Sequence, residues 1–147
     1  MRQAEQTLSA VLDAGELLLT SGAEVARVED TMRRLARAYG FVRADVLTIT
    51  ASMVVTARTP EDEVITQTRR ILHRGTDMQC IEAVNELSRE VCAQPIPPEA
   101  LHARLEAIRT APDTMKHRLL LAYLITAGAF SVFFGGTWRD GLAAMLC

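Results

Sequence analysis

From Leu119 to Trp138 the chain runs twenty residues without a charge. A helix rises about 1.5 Å per residue, so such a run reaches about 30 Å, the thickness of a bilayer's hydrocarbon core. Eighteen or more uncharged residues favour a membrane span over a buried core helix. Lys116, His117 and Arg118 cluster just before the run, as on a cytoplasmic flank. Ala127, Ser131 and Gly135 recur at small-xxx-small spacing, which predicts a helix-packing face within it. Thr137-Trp138-Arg139-Asp140 then sets an amphipathic ring and two charges at the far end. The expectation is a soluble domain over 1–112, a first transmembrane helix over 113–136, and a second apolar helix that starts at 137 and is cut off at Cys147.

Charge agrees with that division. Of the 16 basic residues, 15 precede the run and only Arg139 follows it. A bias of Lys and Arg sets membrane orientation, so the N-terminal domain is expected on the cytoplasmic side of the inner cell membrane and Trp138 outside. The first ten residues carry Arg2 and Glu5 and no apolar stretch, unlike a secretory leader. A net charge of −2 with intermixed signs offers no field for nucleic acid, and no basic patch is interleaved with aromatics.

Other chemistries find little footing. Cys80, Cys92 and Cys147 form no Cys-x-x-Cys pair and have no histidine at ligand spacing, so they are expected as reduced thiols. His73, His102 and His117 sit in no motif, and neither a metal nor a cofactor is expected. No Gly-x-Ser-x-Gly, P-loop or dinucleotide fingerprint occurs, so no enzyme is expected. Asp13 and Glu16 lie off the apolar face of the first helix and are expected in solvent.

The soluble part predicts an α+β fold: a helical hairpin, a small antiparallel sheet of two or three strands, and further helices. Ala4, Leu8, Val11, Leu12, Gly15, Leu18 and Leu19 share one face of a helix over 3–20. Gly15 on that face, and Gly22 after it, are expected where helices pack closely. Ser21 and Glu24 have capping-box spacing for a second helix to about Tyr39, with Val25, Val28, Met32, Leu35 and Tyr39 buried. Val46–Thr50, Met53–Arg58 and Val64–Leu72 read as strands, with Thr59-Pro60-Glu61-Asp62 as a turn. Thr76 and Gln79 form a second box, opening a helix with Ile81, Val84, Ser88 and Val91 inside. A short helix follows Pro95, Pro97 and Pro98 and carries Leu101, Leu105 and Ile108.

The second helix holds Glu24, Arg27, Glu29, Asp30, Arg33, Arg34 and Arg37. Glu29 to Arg33 and Asp30 to Arg34 are acid-first pairs at i,i+4, which by themselves describe a solvated face. Against that stands a resemblance. Gly15-Glu16-Leu17-Leu18-Leu19-Thr20-Ser21-Gly22-Ala23-Glu24, with Arg27-Val28-Glu29-Asp30-Thr31-Met32, resembles the opening of the threonine/serine exporter family, in its N-terminal exporter-like domain. Val84-Asn85-Glu86-Leu87-Ser88-Arg89 is similar to a second family segment. Phe133-Phe134-Gly135-Gly136-Thr137-Trp138-Arg139-Asp140 is similar to the step from that family's first membrane helix to its second.

The resemblance implies a cytoplasmic α+β domain followed by several membrane helices, and export of threonine and serine or of a dicarboxylate such as succinate. It also implies a homo-oligomer or a second small membrane subunit. Glu24, Arg27, Glu29, Asp30, Asn85 and Arg89 fall on the matching segments and become candidate solute-binding or gating residues; helix packing is the alternative role. Two other functions compete with the exporter: a soluble interaction or oligomerisation module, and a hydrolase using the carboxylates of the second helix.

Overall fold

The computed structural model describes residues 2–112 and 115–146, without the side chains of Arg2 and residues 115–118. The basic cluster at Lys116, His117 and Arg118 and the start of the expected membrane helix at 113 thus lie outside the described side chains. The chain divides into two compact units, Met1–Thr110 and Ala111–Cys147.

The first unit is built around α1 (Arg2–Thr20). The sequence predicts one buried face, yet every residue from Thr7 to Leu19 except Ser9 and Glu16 is buried. Leu8, Val11, Leu12, Leu18 and Leu19 are fully enclosed, each stabilising the fold by about 1.5–3 kcal/mol through removal from water. The cause is position. α2 (Val25–Ala38), α3 (Met78–Ala93), α4 (Pro98–Arg109) and the sheet all pack on α1, so no side of it is left to solvent over its middle turns.

At Gly15 a Cβ would run into the Met32 sulfur and stand 2.9 Å from its Cγ, so the buried Met32 side chain of α2 packs directly on the bare backbone of α1. The link between these helices differs from the expected one. Ser21 ends α1 instead of capping α2: Gly22, at φ +91°, gives its N–H to Leu19 O at 3.2 Å, and Ala23 gives its own to Leu18 O at 3.0 Å. This paired 5→2 and 6→1 pattern needs a left-handed residue, which glycine supplies. The N-cap of α2 is Glu24, with no side-chain cap bond. A Cβ at Gly22 would also strike Gly75 O at 2.7 Å.

The sheet is a meander, β1 (Arg43–Ile49), β2 (Ser52–Arg58) and β3 (Val64–Arg70), antiparallel in the order β1-β2-β3. Met53, Val55 and Ala57 on the central strand are fully buried on its inner face. After β3 the chain returns to the end of α1, where Gly75 N–H meets Thr20 O at 2.7 Å and Asp77 N–H meets Ser21 O at 2.9 Å. Asp77, not Thr76, caps α3, its carboxylate accepting Cys80 N–H at 2.9 Å. Cys80, Val84, Leu87 and Val91 are the buried stripe of α3, with Leu87 in the inward place expected of Ser88. Leu101 and Leu105 bury α4.

The second unit divides where the sequence places the boundary between its two apolar helices, at 136 and 137. The apolar run is two helices, α5 (Met115–Phe133) and α6 (Trp138–Leu146). Among the described residues no helix is long and apolar enough to cross a membrane. The break has a local cause. Gly135 at φ +93° gives its N–H to Val132 O, and Gly136 gives its own to Ser131 O, ending α5 as Gly22 ends α1. Thr137 and Asp140 then form a reciprocal box, with Thr137 N–H to Asp140 Oδ2 at 2.7 Å and Asp140 N–H to Thr137 Oγ1 at 3.4 Å. Only Leu119–Phe133 of the uncharged run is helical before this break, roughly 22 Å at about 1.5 Å per residue.

Within the second unit α5 and α6 meet on another set of small residues. Ala127 is exposed, Ser131 half-buried, and Gly135 belongs to the turn. The small residues that meet are Gly128 and Gly141, where a Cβ on Gly141 would stand 2.9 Å from Val132 Cγ2 and 3.2 Å from Gly128 O.

Candidate functional site

Five of the six candidate residues line one groove. Glu24, Arg27 and Asp30 on α2 face Asn85 and Arg89 on α3 across an open cavity of about 460 Å³, joined by Thr31, Arg34, Ser88 and Cys92. Helical spacing explains the α2 side: 27, 30, 31 and 34 are steps of three and four along one strip. Residues 85, 88, 89 and 92 form the matching strip of α3.

Several polar groups in the groove are already engaged. Asp30 holds Arg34 at 2.8 Å. The Thr31 hydroxyl donates to Arg27 O at 2.9 Å, and the Ser88 hydroxyl to Asn85 O at 2.8 Å. The guanidinium groups of Arg27 and Arg89 and the carboxylate of Glu24 have no hydrogen-bond or ion-pair partner among the described residues. Three arginines against two carboxylates leave the lining with one excess positive charge. Such a surface can receive a small carboxylate on two planar donor forks, each able to bind in two places.

Glu29 stands apart. Its Oε2 accepts from Arg33 at 2.9 Å and its Oε1 accepts the backbone N–H of Thr48 at 2.9 Å. β1 is an edge strand, and an edge leaves N–H groups in need of partners. Glu29 supplies one, tying α2 to the sheet. Sequence spacing predicts the Arg33 pair; the 19-residue reach to Thr48 has no local signal.

A second cluster went undetected in the sequence. Asp13, expected in solvent, is 8% exposed. Arg69 on the inner face of β3 contacts Asp13 at 2.7 Å and Glu16 at 3.2 Å, and His102 Nδ1 on α4 meets the other Asp13 oxygen at 3.0 Å. A carboxylate there accepts the Nδ1 proton. This cluster joins α1, β3 and α4 on the opposite flank of α1 from Gly15. Among the described residues no group of His, Cys, Asp and Glu is arranged to hold a metal. Cys80 and Cys92 are free thiols, and burial pushes the Cys80 thiol above its ordinary value.

Residues 9–147 match the ThrE family model, described as "Putative threonine/serine exporter". The chain belongs to that family. The match spans both units and includes every groove residue. Searches of curated proteins and of solved structures give no match. Membership of the exporter family carries transport and a membrane location with it, and gives no support to the hydrolase reading.

Proposed function

We propose that this chain is part of a secondary exporter of small polar metabolites and that the α2–α3 groove binds or gates the solute. The observation that carries the reading is the convergence of Glu24, Arg27, Asp30, Asn85 and Arg89, drawn from two separate family-like segments, on one groove with unengaged charges. Threonine, serine and small dicarboxylates all present a carboxylate that Arg27 and Arg89 can take. The first unit faces the cytoplasm in this proposal, in keeping with the 15 basic residues that precede Leu119. The exporter acts as a homo-oligomer or with a second small membrane subunit.

Export from cells carrying the full-length gene, with any neighbouring partner gene, tests it. Arg27→Ala lowers export while membrane level and folding stay intact. Arg27→Lys fails nearly as badly, because it keeps the charge and loses the fork. Glu29→Ala separates the roles. It loosens β1 and lowers stability, with export falling only in step with the amount of folded protein. Normal export from Arg27→Ala and Arg89→Ala overturns the groove assignment.

A further inference from the structure

The outer face of the sheet has two unlike ends. Register puts Arg43, Arg58 and Val64 in one cross-strand row and Asp45, Thr56 and Thr66 in the next. Charges there are matched, Arg43 to Asp45 at 2.8 Å and Arg58 to Asp62 at 2.7 Å. The other two rows are Leu47–Val54–Thr68 and Ile49–Ser52–Arg70, which contain no carboxylate. No acidic residue occurs between Asp45 and Glu61, or between Glu63 and Asp77.

At this acid-free end Leu47 is 62% exposed, Ile49 54% and Leu72 73%. The β3 ladder runs on to Ile71, whose N–H meets Ala51 O at 2.9 Å, so Leu72 emerges beside the β1–β2 turn. Arg69 points inward and is occupied by Asp13 and Glu16. Arg70 and Arg74 have no hydrogen-bond or ion-pair partner among the described residues. Three exposed aliphatic side chains thus share this end of the sheet with Arg70, in the row of Ile49, and Arg74 follows Leu72 by two residues.

We propose that this end of the sheet docks on a bilayer surface rich in anionic lipid. Leu47 and Ile49 lie two residues apart on one face of β1, and Leu72 emerges beside the turn that follows them, so the exposed aliphatic groups sit together at one end of the sheet. Leu47, Ile49 and Leu72 enter the boundary between headgroups and acyl chains, while Arg70 and Arg74 take lipid phosphates. The composition favours lipid over the other occupants. Single-stranded nucleic acid is held by stacking aromatics, and the patch has none. The core of a protein interface is enriched in aromatic anchors, which are likewise absent. The inference concerns a surface remote from the groove residues in sequence and stands whether or not the groove binds solute.

The test places an environment-sensitive fluorophore on the full chain, once through Leu72→Cys and once through Glu61→Cys in the turn at the matched-charge end, with Cys92 and Cys147 replaced by serine. Reconstituted in vesicles of phosphatidylcholine with phosphatidylglycerol, the probe at 72 shifts to the blue and is quenched by a lipid-borne quencher; the probe at 61 is not. Pure phosphatidylcholine, or high salt, abolishes the difference. Arg70→Gln and Arg74→Gln each weaken the response about 5-fold, as expected for one basic contact with an anionic leaflet. Both positions are exposed, and an unchanged melting curve shows that the fold is intact. A probe at 72 that stays in water in every vesicle overturns the proposal. So does one equally shielded in detergent without lipid, the mark of a protein contact, or equally quenched with and without anionic lipid.

Discussion

Arg69 reaches from the inner face of β3 to Asp13 on α1 at 2.7 Å, the closest contact of a polar cluster that also takes in Glu16 and His102. Removing Arg69 leaves the buried Asp13 with His102 as its one remaining side-chain partner among the described residues. Arg69→Met lowers the stability of the first unit by about 3 kcal/mol, the lower end for a buried pair because Arg69 keeps 33% of its side chain exposed. Asp13→Leu added to Arg69→Met restores part of the loss. Hydrogen exchange at the core amides of α1 reads both, and strictly additive losses would refute the coupling.

Thr48 gives the opposite sign. Its side-chain hydroxyl is buried and has no partner among the described residues, while its N–H is held by Glu29. An unsatisfied buried hydroxyl costs about 1–3 kcal/mol, and valine has nearly the same shape. Thr48→Val therefore raises the urea midpoint by the equivalent of about 1 kcal/mol. A lower midpoint would show that the hydroxyl finds a partner in solution.

The contact of Gly15 with Met32 sets a steric limit. Gly15→Leu overpacks the α1–α2 interface and costs about 1–3 kcal/mol. Met32→Ala in the same chain recovers part of it by making room. If the double variant melts below both singles, the helices do not meet at this point.

Glu90 and Arg104 form a two-bond clasp between α3 and α4, at 2.6 and 2.7 Å. The Arg104 hydrogen bonds hold the Glu90 carboxyl below its ordinary value. A depressed carboxylate contributes stability that is present above its unfolded pKa, about 4.3, and lost as pH falls through the folded one. The thermal midpoints of the parent and Arg104→Ala accordingly differ at pH 7, and the gap narrows as pH falls below the unfolded carboxylate value toward the lowered one of Glu90. A gap that stays constant through the acid range would assign the effect of Arg104 to packing.

Much of the first unit was legible in the sequence because its signals are local. Strands rich in Val, Ile and Thr, the Thr59–Asp62 turn and the apolar steps of α3 and α4 appear close to where their periodicities put them. The failures have a common origin in competition between neighbouring signals. Ser21 has the chemistry of an N-cap, but Gly22 directly after it makes the stronger stop, so the residue closes one helix instead of opening another. Thr76 lost the next cap to Asp77 by one position. In the uncharged run no such competition arises: Gly135-Gly136 and the Thr137–Asp140 box stand together, and the boundary expected between 136 and 137 falls between α5 and α6.

The groove was half legible. Arg27 and Asp30 are recognisable as one strip of α2, but only the tertiary fold can bring Asn85 and Arg89 opposite them or draw Glu29 away to Thr48. The Asp13 cluster was hidden for another reason. Amphipathic reading assumes a helix with one wet side, and α1 has none over its middle turns.

The junction of Thr20, Ser21 and Gly22 with Gly75 and Asp77 governs more than the end of one helix. The departure of α2 and the arrival of α3 are both pinned to the same few backbone atoms of α1. The two banks of the groove therefore hang from a single hinge-post. A substitution at Gly22, which touches none of the groove's side chains, reaches the groove as a change in its width and leaves its charge as it was.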